Sequence, residues 1–210
     1  MSNAQSCADL NRDTEHLSDR VSVIAGAKPA CACEDDTLSE HSPGVVGAEE
    51  VIVRMVCVPM HVHKTRLEVL ASFFSHAVTR GLSVQRMDIA SDNELLACVE
   101  GFLQADEKRV WLGYVEASVS SIRDLRLLDD GAQSFCVADA ALSDNQAHAE
   151  VHCAYDIPEA DAMEYRAALM NIFNGKNVQN RKSLRGGAVW QDVQDEFKKR
   201  PLPSRWEAMT

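Results

Sequence analysis

The stretch AHAEVHCAY, residues 147–155, carries two imidazoles, a carboxylate and a thiol in close succession. In a β-strand, His148, Glu150 and His152 share one face, while Cys153 points to the other. Two imidazoles and a carboxylate form a donor set that suits a divalent transition metal. A half-buried strand shows the same alternation without any ligand. We favour this second interpretation and expect the three polar side chains to face water.

A second histidine pair follows the apolar run VIVRMVCVPM, residues 51–60, in which Arg54 is the single charged residue. His61 and His63 are two positions apart at the end of a predicted central strand, so both project to one side. Ligands of open α/β sheets lie beyond the carboxyl ends of the strands, which suits a binding role. The alternative is that His61 is half exposed and His63 lies near a helix start. One metal centre could include both histidine pairs only if the two strands are neighbours.

Catalytic motifs of the common nucleophilic and phosphate-binding kinds are absent from the sequence. The chain has no G-x-S-x-G elbow, no P-loop and no G-x-G-x-x-G turn. We therefore assign no catalytic residue, and we predict no cofactor, with a divalent transition metal as the alternative.

The elements that must position these residues alternate along the chain. Strands are predicted at residues 51–60, 82–90, 109–117, 133–142 and 148–155. Helices are predicted at residues 63–81, 91–108, 118–131 and 158–175. Gly81 ends the first of these helices, and Ser91 with Glu94 forms a capping box at the start of the second.

This pattern predicts an α/β (or α+β) domain with a mixed sheet of about five strands and three or four packing helices. Short connections favour right-handed β-α-β crossovers among the first three strands. The last two strands are joined by SDNQ, which favours a hairpin turn.

Three regions are predicted along the chain. Residues 1–49 are polar and acidic and are expected to form a disordered leader. Residues 50–175 form the core domain. Residues 176–210 form a basic linker followed by an amphipathic tail helix. The apolar side of that helix either docks on a partner or packs back on the domain, and it carries Val189, Trp190, Val193 and Phe197. The linker could contact phosphate through Arg181, Lys182 and Arg185.

Composition limits the classes of function and location. The net charge of −11 makes general nucleic-acid binding unlikely, because such binding relies on basic side chains that neutralise phosphates. No apolar run is long enough for a membrane helix. Seven scattered cysteines do not indicate a disulfide framework, so Cys57, Cys136 and Cys153 are expected to be buried thiols, and the location is expected to be cytoplasmic.

Three functions are compatible with these observations. The favoured one is an intracellular, non-catalytic protein-protein interaction or regulatory protein. The first alternative is a metal-dependent enzyme that uses the His61/His63 and His148/Glu150/His152 groups. The second is a nucleic-acid adaptor that acts through the basic C-terminal tail. The sequence leaves the partner's identity and the oligomeric state open.

Overall fold

One antiparallel sheet forms the centre of the fold. The computed structural model describes residues 5–58, 60–63, 68–106, 109–173 and 179–180. The strands of the sheet are β1 (Val51–Val58), β2 (Leu82–Arg86), β3 (Val110–Ser118), β4 (Phe135–Asp139), β5 (His148–Cys153) and β6 (Gln179–Asn180). They are hydrogen-bonded in the order β4-β5-β2-β1-β3-β6.

The predicted α/β class and the five predicted strands are confirmed, and β4 and β5 form the expected antiparallel pair. The β-α-β crossovers are wrong, because β1 runs antiparallel to both β2 and β3. Strand β1 is apolar on both faces because each face is covered. Coverage of this kind is typical of parallel sheets, but an antiparallel sheet with covered faces produces the same sequence pattern.

Helices lie on both sides of the sheet. They are α1 (Cys7–Asp13), α2 (Arg20–Ala27), α3 (Asp92–Gln104), α4 (Val119–Arg123) and α5 (Ala162–Ile172), together with 3-10 helices at Leu17–Asp19 and Ala71–Val78. The capping box at the start of α3 is confirmed: the Ser91 hydroxyl accepts from the Glu94 amide, and the Glu94 carboxylate accepts from the Ser91 amide.

The helix predicted over residues 63–81 is shorter than expected. An isolated β-bridge pairs Val62 with Val69, and the 3-10 helix begins only at Ala71. The end of that helix is as predicted, because the amide of Gly81 donates to the His76 carbonyl and Gly81 has a φ of +89°.

Two apolar layers pack against the sheet. On one face, Ile52 and Val56 of β1 contact Phe74 of the 3-10 helix and Leu169 of α5. On the other face, Met55 and its neighbours in β1 pack against α3 through Leu95, Val99 and Leu103. This second face continues over β5 and β4, where the N-terminal part of the chain covers it.

Residues 5–39, here called the N-terminal segment, differ from the predicted disordered leader. Ile24 and Leu38 are buried in one cluster with Ala138 of β4 and Ala140 of the loop that follows it. The edge of β4 is also hydrogen-bonded to the segment, because the Asp139 carbonyl accepts from the Leu38 amide at 2.8 Å. An edge strand covered in this way is shielded from pairing with another chain.

Two disulfides, Cys7–Cys33 and Cys31–Cys136, hold the N-terminal segment in place. The expectation of no disulfide framework and of a free Cys136 thiol is therefore wrong. Cys57 and Cys153 are buried free thiols, as predicted. Cross-links reduce the entropy of the unfolded chain, which is why a segment of polar composition can be ordered.

The C-terminal region is described only at Gln179–Asn180, which form β6. The predicted phosphate contacts (Arg181, Lys182, Arg185) and partner contacts (Val189, Trp190, Val193, Phe197) lie outside the described residues. Within the ranges that the structure describes, no helix combines the length and the apolar character needed to cross a bilayer.

Candidate anion-binding site

The polar face of β5 is buried, contrary to the expectation that it faces water. The exposed fraction is 9% for His148, 4% for Glu150 and 3% for His152. The three side chains do share one face, as predicted, but the N-terminal segment covers that face. Both faces of β5 are therefore covered: the face with Ala149, Val151 and Cys153 is apolar, and the face with the two histidines and Glu150 is polar.

Both β5 histidines form hydrogen bonds to backbone carbonyls. Nδ1 of His148 lies 2.6 Å from the Ala140 oxygen, and Nδ1 of His152 lies 3.0 Å from the Cys153 oxygen. A carbonyl oxygen can only accept, so each Nδ1 carries a proton. Burial lowers the pKa of His152, which keeps its ring neutral.

His61 is buried, with 5% exposed, so the prediction of half exposure is wrong. Its Nδ1 accepts from the Cys57 amide at 2.9 Å, and its ring centroid lies 4.5 Å from that of Phe73. Burial lowers the pKa of His61 to about 3, so this ring is also neutral at physiological pH. His63 is half-buried in the loop that follows, and its amide donates to the Glu68 carbonyl.

The two histidine groups do not lie on neighbouring strands, because β2 separates β1 from β5. Among the described residues, no group of three or more histidine, cysteine, aspartate and glutamate side chains is arranged to hold a metal ion. The geometric condition for a shared metal centre is therefore not met in this part of the chain.

A cavity of about 390 Å³ opens beside the polar face of β5. We call it the arginine pocket. Its polar lining comes from distant parts of the chain, and its apolar lining includes Leu17, Phe102 and Leu142. The charged and imidazole side chains that line it are Arg20, Arg54, His76, Arg80, His148 and Glu150.

Arg20 closes one side of the arginine pocket. Its guanidinium forms an ion pair with Glu150 at 2.5 Å and donates to the Arg80 carbonyl. Gly81 permits this arrangement, because a Cβ atom at that position would collide with the Glu150 carboxylate and the Arg20 guanidinium. The charges of Arg20 and Glu150 therefore balance one another.

Arg54 has no such balance. It is 7% exposed, its Nη1 donates to the Ser83 carbonyl at 2.5 Å, and its guanidinium lies 4.5 Å from the Phe73 ring centroid. Its Nε has no hydrogen-bond partner, and no carboxylate of the described residues forms an ion pair with it. Burial, and then the charge of Arg80, lower the pKa of Arg54 to about 10, so it remains a cation at neutral pH.

The buried Arg86 and the half-buried Arg123 are paired with acids. Arg86 contacts the carboxylates of Glu50 at 2.7 Å and Asp139 at 3.0 Å. Arg123 contacts Glu34 at 2.9 Å. An unpaired buried charge is costly, because the charge loses water without gaining a counter-ion. Arg54 thus differs from these arginines in the way expected for a ligand-binding cation.

Arg80 and His76 complete the positive side of the pocket. The Arg80 guanidinium donates to Nε2 of His76 at 2.5 Å, which requires that nitrogen to be unprotonated. Burial, and then the charges of Arg80 and Arg54, lower the pKa of His76 to about 4. The pocket thus joins a neutral imidazole and two guanidinium groups, the buried one of Arg54 and the exposed one of Arg80, neither of which is paired with a carboxylate of the described residues.

The sequence contained one signal for this site. Arg54 is the single charged residue of an otherwise apolar run, although this pattern alone does not indicate a role for it. Arg20, Arg80 and Phe102 gave no such signal, because only the fold brings them together. Comparison with protein-family models, with curated proteins and with solved structures found no match.

Proposed function

We propose that the protein binds a small anion in the arginine pocket and acts as a non-catalytic binding protein. The observation that supports this most strongly is the buried, unpaired guanidinium of Arg54 in the lining of a cavity. A bound anion would supply the counter-charge that the described residues do not provide.

The charges around the cavity favour an anion of low charge. Arg20 and Glu150 neutralise each other, which leaves Arg54 and Arg80 as the uncompensated cations. Guanidinium groups bind planar carboxylates through two parallel hydrogen bonds, and such charge-assisted bonds are the stronger kind. The Glu150 carboxylate at the same cavity disfavours a ligand that carries several negative charges.

This proposal is a specific form of the regulatory function predicted from the sequence, since ligand binding is how many regulatory proteins sense their surroundings. The protein partner predicted for residues 188–210 stays a prediction, as do the metal-dependent enzyme and the nucleic-acid adaptor. The cytoplasmic location also stays a prediction, although the two disulfides remove its premise that the cysteines are unpaired.

The experiment is a thermal unfolding series with the full chain in acetate, methanesulfonate and phosphate, with chloride at equal ionic strength as the reference. We expect a saturable rise in Tm with the small monoanions. A ligand at a hundred times its Kd stabilises a protein by about 2.7 kcal/mol. For a chain of this size, such a change raises Tm by roughly 5–10 °C.

Two variants locate the effect. Arg80→Gln removes one uncompensated cation of the arginine pocket, and Arg126→Gln removes an exposed arginine that does not line it. We expect the saturable rise in Tm to be lost or strongly reduced in the first variant and unchanged in the second. The proposal fails if the small anions act no differently from chloride, or if both variants respond like the wild-type protein.

A further inference from the structure

A second cavity of about 220 Å³ adjoins the arginine pocket. We call it the apolar cleft. It shares Arg54, Ser83, Phe102, Leu142 and His148 with the pocket. The apolar residues that line the cleft alone include Val53, Met55 and Cys98.

We infer that the ligand is an amphipathic monocarboxylate, with its carboxylate at Arg54 and Arg80 and an apolar, preferably aromatic, body in the apolar cleft. The inference rests on the proposed function and names the class of ligand. It follows from one juxtaposition: Arg54, whose guanidinium forms no ion pair with a carboxylate of the described residues, lines both cavities, so a charged head and an apolar body can be bound at once.

The walls of the cleft suit an apolar body. Val53 and Met55 are buried in the sheet on the side that faces α3, and Phe102 of α3 lies where the cleft meets the arginine pocket. Cys98 adds a thiol that behaves as a small apolar group. Aromatic rings pack favourably against one another in offset or edge-on arrangements, which Phe102 offers to an aryl ligand.

The cleft also contains polar atoms without partners. Oε1 of Gln85 and Oδ1 of Asn145 are buried and form no hydrogen bond with the described residues. Gln85 follows Ser83, whose carbonyl binds Arg54, by two residues on β2, a spacing of about 7 Å along a strand. A hydroxyl at the far end of an aryl body could donate to this amide while the carboxylate stays at Arg54.

The test is a calorimetric titration of the full chain with acetate, hexanoate, phenylpropanoate, hydroxyphenylpropanoate and phosphate. Acetate reports the head alone, and the next two ligands add an aliphatic or an aryl body. We expect phenylpropanoate to bind roughly tenfold to a hundredfold more tightly than acetate, because it buries the area of a phenyl ring. We expect the added hydroxyl to tighten binding further.

Two variants of α3 distinguish binding of the body in the apolar cleft from binding of the carboxylate in the arginine pocket. Cys98→Phe fills the cleft, whereas Ala97→Phe adds the same ring at the neighbouring exposed position of the helix. We expect Cys98→Phe to bind acetate like the wild-type protein and phenylpropanoate no better than acetate. Ala97→Phe should keep the full advantage of phenylpropanoate.

The titrations of the wild-type protein distinguish the two proposals, and the Cys98→Phe variant tests where the body binds. If the wild-type protein binds acetate and phenylpropanoate equally, or prefers phosphate, the inference about the ligand is wrong and the anion-binding function stands. If none of these anions binds, both are wrong. Tighter binding of phenylpropanoate that survives in Cys98→Phe would show that the body lies outside the apolar cleft and would overturn the inference.

Discussion

Among single residues, Arg54 and Arg86 make the sharpest comparison, because both are buried arginines on adjacent strands. Arg86 forms ion pairs with two carboxylates. Arg54 donates a hydrogen bond to the Ser83 carbonyl and lies over the Phe73 ring. Removal of a charge has opposite consequences at the two positions. At Arg86 it takes the cationic partner from the buried Asp139 and from the half-buried Glu50, and at Arg54 it removes a desolvated cation.

We therefore expect Arg86→Met to lower the free energy of unfolding by about 3–5 kcal/mol. Arg54→Met should leave the free energy of unfolding within about 1 kcal/mol of wild type, or raise it. The loss of the hydrogen bond to Ser83 and of the cation–π contact with Phe73 is offset by removal of the desolvated charge. Urea denaturation of both variants without added anions gives these values. A large loss of stability in Arg54→Met would show that its role is structural.

The histidines illustrate what sequence reasoning can and cannot establish about single residues. The shared face of His148, Glu150 and His152 could be predicted, because strand geometry determines it. Their burial could not, because it depends on a segment more than a hundred positions earlier in the chain. The same limit applies to Arg20, whose pairing with Glu150 joins the two ends of the described chain.

At the scale of elements, the connection between the 3-10 helix Ala71–Val78 and β2 shapes the arginine pocket. Gly81 lies in that connection with a positive φ, and Gly131 has a similar conformation after α4. A side chain at Gly81 would meet the Arg20–Glu150 ion pair, whereas one at Gly131 would meet nothing within 4 Å. A side chain would thus strain the backbone at both glycines, but it would collide with neighbouring atoms only at Gly81.

We expect Gly131→Ala to cost about 1 kcal/mol of stability, as the penalty for the left-handed conformation alone. Gly81→Ala should cost clearly more, and it should also weaken anion binding because Arg20 is displaced from the pocket wall. Urea denaturation and the acetate titration of both variants measure the two effects. Equal losses of stability would contradict the crowding of the ion pair seen at Gly81.

Most elements could be predicted because their signals are local. The capping box of α3, the turn between β4 and β5 and the stop at Gly81 each depend on a few adjacent residues. Strand direction could not be predicted, because covered antiparallel and covered parallel strands have the same apolar pattern. The predicted helix over residues 63–81 is longer than the observed 3-10 helix Ala71–Val78. Its start could not be predicted, because it depends on the bridge between Val62 and Val69.

At the scale of the whole molecule, the two disulfides determine how the N-terminal segment relates to the sheet. Cys31–Cys136 closes a loop with a sequence separation of 105 residues and joins the segment to β4. Cys7–Cys33 ties α1 to the same region. Together they hold the segment that supplies Leu17 and Arg20 to the arginine pocket.

We expect thiol alkylation of the unreduced, denatured protein to label three cysteines, namely Cys57, Cys98 and Cys153. Replacement of Cys31 by serine should lower the free energy of unfolding by about 3–5 kcal/mol, given the length of the loop. Mass spectrometry and urea denaturation check the two statements. Labelling of all seven cysteines without a reductant would contradict this account of the N-terminal segment.

The most direct test of the central claim is the pKa of His76, followed by heteronuclear NMR with and without saturating methanesulfonate in a chloride-free buffer. Burial and the charges of Arg80 and Arg54 lower this pKa to about 4. An anion bound between these groups favours the protonated ring, so the account predicts a clear rise in the pKa of His76 and none for His41, an exposed histidine outside the pocket. An unchanged pKa of His76 at saturation would contradict anion binding in the arginine pocket.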